Sequence, residues 1–426
     1  EEDLFGSDSE EDLFGSDSSD SFIVQVQETE KSLGTLLLTQ GEGGVRLGGS
    51  FSFKGSPGFS WYPTTQEVDA SFQGSLDSKL FIDARMDTDT RFYGSFGITY
   101  PVVSNTSSKA SFSLKELFAD ITYNDSLFFR VGKQTINWGV GFFFSPADLL
   151  NLSDIDPLNT SSDLEGPVAI KMNTSLGIDN LYAYVVLPPT LTDASDLAYA
   201  LKVEKVFNKT ELGLGAYYRY DNPPAAMVTF SSGIGNIALF GEAVLQYGSN
   251  KNFITGAGTS TTYKDKLFFL GTIGGNYSYN AKESDFSFSA VAQYFFNGEG
   301  YANTDFYSEF TNILNASERG IQDILNPGMH YVATNVSVTF NKDVSASLLL
   351  LGNMSDLSGI LQPSISYSGI KNLKISLSSS IAYGKEGVEY TTVIQPPSGI
   401  PPMWNVIPKP WSISPSVSIT FGVFNF

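Results

Sequence analysis

From Val45 onward the chain is divided into segments of about ten residues in which apolar and polar side chains alternate, and no stretch of similar length carries a helical period. The segments are Val45–Phe53, Leu76–Met86, Arg91–Tyr100, Phe112–Tyr123, Leu127–Trp138, Val168–Leu176, Leu181–Leu187, Leu197–Phe207, Glu211–Tyr220, Ala225–Ser232, Ile237–Tyr247, Leu267–Tyr279, Phe286–Phe296, Tyr331–Phe340, Val344–Leu351, Ile360–Ser368, Leu373–Tyr383 and Trp411–Phe426. After the even-numbered segments come Asp87–Thr90, Asn124–Ser126, Gly177–Asn180, Asn208–Lys209, Gly233–Asn236, Ala281–Asp285, Asn341–Asp343 and Gly369–Asn372. These are tight, and most have the Gly, Asn and Asp of hairpin turns. The odd-numbered segments are followed mostly by long connections: Lys54–Gln66, Gly139–Pro167, Gly248–Lys266, Asn297–His330 and Gly384–Pro410.

A soluble sandwich has no reason to sort its loops by length. An even strand count, short turns on one rim, long loops on the other and both termini on the short-turn rim predict a transmembrane antiparallel up-and-down β-barrel. The count is about 18 strands, with 16 as the alternative. The faces agree: in Leu80–Met86, Leu80, Ile82, Ala84 and Met86 share one parity, while Phe81, Asp83 and Arg85 share the other. Tyr100, Tyr123, Tyr220, Tyr247 and Tyr279 fall near strand ends, where amphipathic rings sit at headgroup depth. No run approaches the roughly 18 apolar residues of a membrane-crossing helix.

Residues 45–426 resemble the porin-like β-barrels of Gram-negative outer membranes, and the aromatic C-terminus ITFGVFNF is similar to the signal that such barrels present to the assembly machinery. Its apolar parity switches after Val423, which a bulge near Gly422 reconciles. The stretch Val131–Asn151, VGKQTINWGVGFFFSPADLLN, also resembles an element of alginate-export-like barrels, which have eighteen strands. The resemblance implies a channel in the outer membrane of a diderm bacterium, with periplasmic turns and termini and extracellular loops. It also implies that membrane lipid and the barrel assembly machinery are partners.

Parity places Asp83, Arg85, Arg91, Glu116, Asp120, Arg130, Lys171, Lys202, Glu204, Arg219 and Glu242 on the pore-lining face. They act there either as a transverse field in a water-filled pore or as ion pairs in a packed lumen. Adjacent strands bring Arg130 within reach of Glu116 or Asp120. The later strands turn hydroxyls and amides inward, among them Gln293, Asn335, Ser337, Ser376, Ser378 and Ser380, which suits uncharged or weakly charged solutes. Strict alternation leaves Lys133 toward lipid, so either a bulge at Gly132 turns it inward or it reaches for the rim. Gln134, Asn137 and Trp138 are then candidate pore-lining or loop-anchoring residues. The loop Gly139–Pro167 carries Asp148, Asp154, Asp156, Asp163 and Glu165 and is a candidate constriction with cation preference. In Asn297–His330, Tyr307–Asn315 and Ser317–Leu325 have helical spacing, and their apolar faces would either pack over the barrel mouth or catch an amphiphilic ligand.

Chemistry is sparse. The chain has no cysteine and a single histidine, His330, so no thiolate or zinc site is expected, and no catalytic triad, phosphate loop, metal or cofactor. An enzyme is not expected. The formal net charge of −20 leaves no basic surface for nucleic acid.

Residues 1–44 stand apart. The nine residues EEDLFGSDS occur twice in succession, and Glu1 to Asp20 hold nine carboxylates and no base. Such a segment buries too little apolar surface to fold alone and is expected to be a solvated periplasmic tail. Leu4, Phe5, Leu13 and Phe14 are paired anchors of a candidate docking motif for a periplasmic partner; entry into the lumen as a plug is the alternative. The chain starts at Glu1 with no leader and is read as a mature, exported form. The expected function is an outer-membrane channel for passive or weakly selective passage of small hydrophilic solutes. A surface adhesin or structural barrel with a plugged lumen, and a dedicated exporter or hydrophobic-ligand transporter, are the alternatives.

Overall fold

The alternation becomes one eighteen-stranded antiparallel sheet. The structure is a computed structural model that describes residues 44–62, 67–86, 88–103, 109–160, 164–188, 191–256, 259–302, 327–385, 387–398, 403–408 and 412–421. Its strands are β1 (Val45–Tyr62), β2 (Glu67–Arg85), β3 (Thr90–Val103), β4 (Ser111–Tyr123), β5 (Leu127–Lys133), β6 (Val168–Leu176), β7 (Asp179–Leu187), β8 (Ala198–Phe207), β9 (Thr210–Arg219), β10 (Ala225–Ile234), β11 (Ile237–Tyr247), β12 (Asn252–Gly256), β13 (Thr259–Thr262), β14 (Leu267–Asn280), β15 (Ser287–Asn297), β16 (His330–Asn341), β17 (Val344–Asn353), β18 (Ser358–Ile370), β19 (Leu373–Tyr383), β20 (Thr392–Ser398), β21 (Met403–Pro408) and β22 (Ser412–Phe421). Each barrel strand pairs with its neighbours in chain order, and β22 closes the ring against β1, with Phe53 opposite Phe421 and Trp61 opposite Ile413. β12 pairs with β13, and β20 with β21, as two hairpins outside the ring.

Within the described residues, each of the eighteen sequence segments overlaps one barrel strand. Their tight turns have the backbone that the residue types permit: Asn124 and Asp125 (φ 51° and 49°), Asn208 (57°) and Asn372 (60°) adopt the left-handed conformation of primed hairpin turns. Two connections differ most. Lys54–Gln66 reads as a loop, but β1 and β2 run on as one long hairpin in which Ser56 faces Gln73 and Tyr62 faces Glu67. Pro57 is tolerated because it falls in a gap of the β1–β22 ladder, between Gly55 and Gly58, where its missing N–H costs no pairing. The fifth segment stops at Lys133 rather than at Trp138. The two hairpins outside the ring lie in Gly248–Lys266 and Gly384–Pro410, which the sequence reads as loops. The helix candidates Tyr307–Asn315 and Ser317–Leu325, the bulge near Gly422 and the tail with Leu4, Phe5, Leu13 and Phe14 lie outside the described residues.

β8 shows which side of the sheet is which. Tyr199, Leu201 and Val203 are 47%, 50% and 43% exposed, whereas Lys202 and Glu204 on the opposite face are 4% and 5% exposed. An inside-out strand, with charges buried and apolar side chains bare, is unfavourable in water and favourable in lipid. The same outward belt continues through Val131, Ile170, Leu214, Val228, Leu245, Phe269, Ile273, Leu348 and Leu377. The chain is therefore a transmembrane β-barrel, and its polar chemistry lies inside.

Candidate functional site

The chain leaves the wall after Lys133. Gly132 holds φ +137°, and a Cβ there would stand 2.2 Å from the Leu117 carbonyl oxygen, so this close approach needs glycine. The ladder with β4 stays in register through Leu117 and Lys133, so no bulge turns Lys133 inward. Its ammonium instead reaches Glu165 Oε1 at 3.0 Å and donates to the Gly166 carbonyl at 3.1 Å.

Beyond Lys133 the backbone loses strand partners and side chains replace them. Gln134 N–H donates to Pro167 O at 3.0 Å, and Thr135 N–H donates to Glu116 Oε1 at 3.3 Å. Asn151 serves Ile136 twice, accepting its N–H at 3.0 Å and donating to its carbonyl at 2.6 Å. The connection between β5 and β6 crosses the interior and packs on two apolar patches of the inner wall. Ile136, Trp138, Ala147 and Leu150 meet Tyr182, Tyr184, Met227 and Val244, with Trp138 edge-on to Tyr184 at 6.0 Å. Phe143 and Phe144 meet Phe240, Phe295, Tyr331 and Leu351, with Phe144 stacked on Phe295 at 5.0 Å. Burial of each large apolar side chain contributes about 1.5–3 kcal/mol.

Three polar wall residues clamp the loop. Glu242 on β11 accepts the N–H groups of Val140, Gly141 (2.6 Å) and Ala147 (2.8 Å) and the Ser145 hydroxyl (2.9 Å). Gln293 on β15 accepts Phe142 and Phe143 N–H at 3.1 and 2.7 Å and donates to Phe144 O and Thr272 Oγ1, both at 2.6 Å. Lys202 on β8 donates to Trp138 O at 2.9 Å and pairs with Glu204 at 2.7 Å. Such convergence is what a loop without a ladder of its own needs.

The opposite wall carries a ladder of charge. Arg91 grips Asp83 through two hydrogen bonds of 2.8 and 3.1 Å and lies 3.6 Å from Asp120, which Arg130 holds at 2.6 and 3.2 Å. Arg130 also lies over the Phe118 ring at 4.0 Å. Between this wall and the loop is a cavity of about 390 Å³ lined by Lys79, Ser95, Lys115, Glu116, Asn137 and Asp148, among others. On the loop's other side, a cavity of about 320 Å³ is lined largely by hydroxyls and amides, including Asn335, Ser347, Ser364, Ser378, Ser414 and Ser416. Thr160 borders both.

Asp148 is the loop's unusual acid. Burial, reinforced by nearby Glu242, outweighs the Asn151 hydrogen bonds and pushes its carboxyl up from 3.8 to about 7. At the rim, Glu389 is pushed up to about 7 by burial, while accepting the Tyr331 hydroxyl at 2.8 Å and the Asn353 amide at 2.6 Å.

Solved structures share this arrangement of strands. OccAB1 of Acinetobacter baumannii superposes with a TM-score of 0.50 at 11% identity, covering 89% of this chain and 97% of that one. OpdK of Pseudomonas aeruginosa, determined with vanillate, superposes with a TM-score of 0.50 at 8% identity, covering 89% and 99%. The fold is that of the outer-membrane porins. No protein-family model and no curated protein sequence matches the chain.

Within this porin-like barrel the expected pore-lining residues separate into groups. Asp83, Arg91, Asp120 and Arg130 form the ladder; Arg130 pairs with Asp120, and Glu116 binds the loop backbone instead. Lys202, Glu204 and Glu242 lie on the inner wall but under the loop, 4–5% exposed, so they hold structure and line no open passage. Lys171 lies over the Tyr182 ring at 5.1 Å, Arg219 is half-buried near the mouth, and Arg85 is exposed at the turn rim. Of the described loop acids, only Asp148 borders the cavity beside the ladder. Asp154 and Asp156 are exposed, Glu165 is engaged by Lys133, and Asp163 lies outside the described residues. Trp138, Gln134 and Asn137 belong to the inward loop rather than to a strand. Lys115 went unnoticed because a register shift between Ser95 and Phe96 interrupts parity beside it. In the sequence Gln293 is one inward polar residue among many.

Proposed function

We propose that this protein is an outer-membrane channel for small hydrophilic solutes, narrowed by the inward loop between β5 and β6. The observation that carries the reading is the pair of cavities, about 390 and 320 Å³, that flank a loop clamped across the interior. Polar groups border both, so a hydrated solute exchanges water for matching partners along the way. The loop's bulk limits size, and the charged cavity beside the ladder imposes a preference among ions. Both termini of the barrel lie on the rim of short turns, which we assign to the periplasm by analogy with barrels of this fold. The acidic tail then extends into the periplasm, where Leu4, Phe5, Leu13 and Phe14 are available to a partner. Reconstitution tests the reading. Discrete conductance steps and osmotic swelling of vesicles in small solutes support it; silent bilayers from a barrel that retains its strand content sink it.

A further inference from the structure

The two cavities differ in chemistry more than in size. The larger one has ammonium and carboxylate groups in its wall. The smaller one, between Pro157–Thr160 of the loop and the wall formed by β16 to β19 and β22, has no charged side chain among its described lining residues. We propose that this smaller cavity is a binding site for uncharged polyhydroxylated solutes, polyols and small sugars; the inference rests on the channel reading above.

The hydroxyls come in pairs that span neighbouring strands. Ser347 Oγ and Ser364 Oγ are 2.7 Å apart, and Ser378 Oγ and Ser416 Oγ are 2.9 Å apart. Either atom of such a pair can donate, so each pair consumes one hydroxyl proton internally and keeps one to give away. A polyol presents hydroxyls with the same dual capacity, and a row of reversible donors meets it without fixing one orientation. Among the described lining residues an anion would find no cation and a cation no carboxylate, so each would lose hydration with no compensating charge from them.

A second observation points to an occupant. Asn335 borders this cavity, and its Oδ1, turned away from the open space, is buried with no hydrogen-bond partner among the described residues. A buried acceptor without a donor is unfavourable, and rotation of the amide toward the cavity lets a solute hydroxyl or a water supply one. The volume of about 320 Å³ holds roughly ten water molecules at about 30 Å³ each, and lies at the lower end of small-molecule sites. Leu158 and Leu349 add an apolar side for the C–H face of a sugar or polyol.

The test uses the full-length protein in proteoliposomes, with sorbitol as the probe and potassium conductance measured on the same preparations. Two variants are compared with wild type: the double substitution Ser364→Val/Ser378→Val, and Asn335→Leu. The second removes an acceptor that has no partner among the described residues, and so keeps the site testable even if the first variant does not fold. The expected result is that the ratio of sorbitol permeation to potassium conductance falls at least fivefold in either variant. A wild type that conducts potassium but excludes sorbitol, or a ratio unchanged in both variants, overturns the site and leaves the channel. A wild type that neither conducts nor passes sorbitol overturns the channel reading as well.

Discussion

The carboxylate of Glu242 on the barrel wall accepts the backbone N–H of Ala147 at 2.8 Å, joining residues 95 positions apart and fastening the inward loop to the sheet. The same carboxylate holds Val140, Gly141 and Ser145, so one wall residue organises a whole turn of loop. Glu242→Gln keeps the shape but turns an amide N–H₂ toward groups that themselves donate. Hydrogen bonds to a charged acceptor are worth about 1.5–3 kcal/mol each, so a loss on the order of 3 kcal/mol is expected. Protease cleavage between residues 139 and 160 should appear at concentrations that leave wild type intact, with the barrel itself still folded.

Asp148 sets a pH dependence. Its carboxyl is raised from 3.8 to about 7, so the folded loop favours the protonated form. The stabilisation relative to the unfolded chain is full below 3.8, declines as pH rises, and is gone above about 7. Ionisation also adds a negative charge beside Lys79, Lys115 and Glu116. Cation preference, read as the reversal potential across a KCl gradient, should increase between pH 5.5 and 8.5. Asp148→Asn should flatten that change.

The charge ladder makes a stability prediction. Asp120 is 3% exposed and serves both Arg91 and Arg130. Asp120→Asn leaves two guanidinium groups short of one charge and should cost about 3–5 kcal/mol. The surface pair Lys54–Asp77, whose lysine is 55% exposed, should matter by no more than about 1 kcal/mol when Lys54 is replaced by Ala. The temperature at which the barrel loses its compact mobility in detergent gels compares the two.

At the rim, Tyr331 donates to Glu389 and accepts the Gly328 N–H at 2.8 Å, so its hydroxyl latches two loops. Tyr331→Phe removes both bonds and should weaken the latch by about 1–3 kcal/mol. Hydrogen exchange at residues 387–391 should accelerate while the strands keep their protection. Because Glu389 titrates at about 7 instead of 4.5, exchange in the wild type should also accelerate as pH rises through 7, after correction for intrinsic rates.

The barrel was legible because each of its strands obeys period two and most turns carry the residues that a tight reversal needs. Where the reading failed, local pattern and tertiary outcome diverged. Gln134, Ile136 and Trp138 continue the alternation of β5, so parity extends the strand; in the fold they enter the lumen, where Asn151 and Glu116 take over the backbone bonds. Nothing in the alternation of Ile237–Tyr247 marks Glu242 as a loop clamp rather than a pore charge, since that role depends on a partner a hundred residues away. The glycines at 139 and 141 were the available hint: a Cβ on Gly141 would meet the Phe144 carbonyl at 1.9 Å. The split between a charged wall and a hydroxyl wall was visible in advance, because inward parity on the later strands exposes mostly Ser, Thr and Asn.

Single-channel conductance of wild type and Glu242→Ala in planar bilayers tests the account most directly. Discrete steps are expected from wild type, and steps at least twofold larger, with more open-channel noise, from Glu242→Ala, because the released loop no longer narrows the passage. A silent wild type, or the same step size from both proteins, would contradict a channel gated in width by this loop.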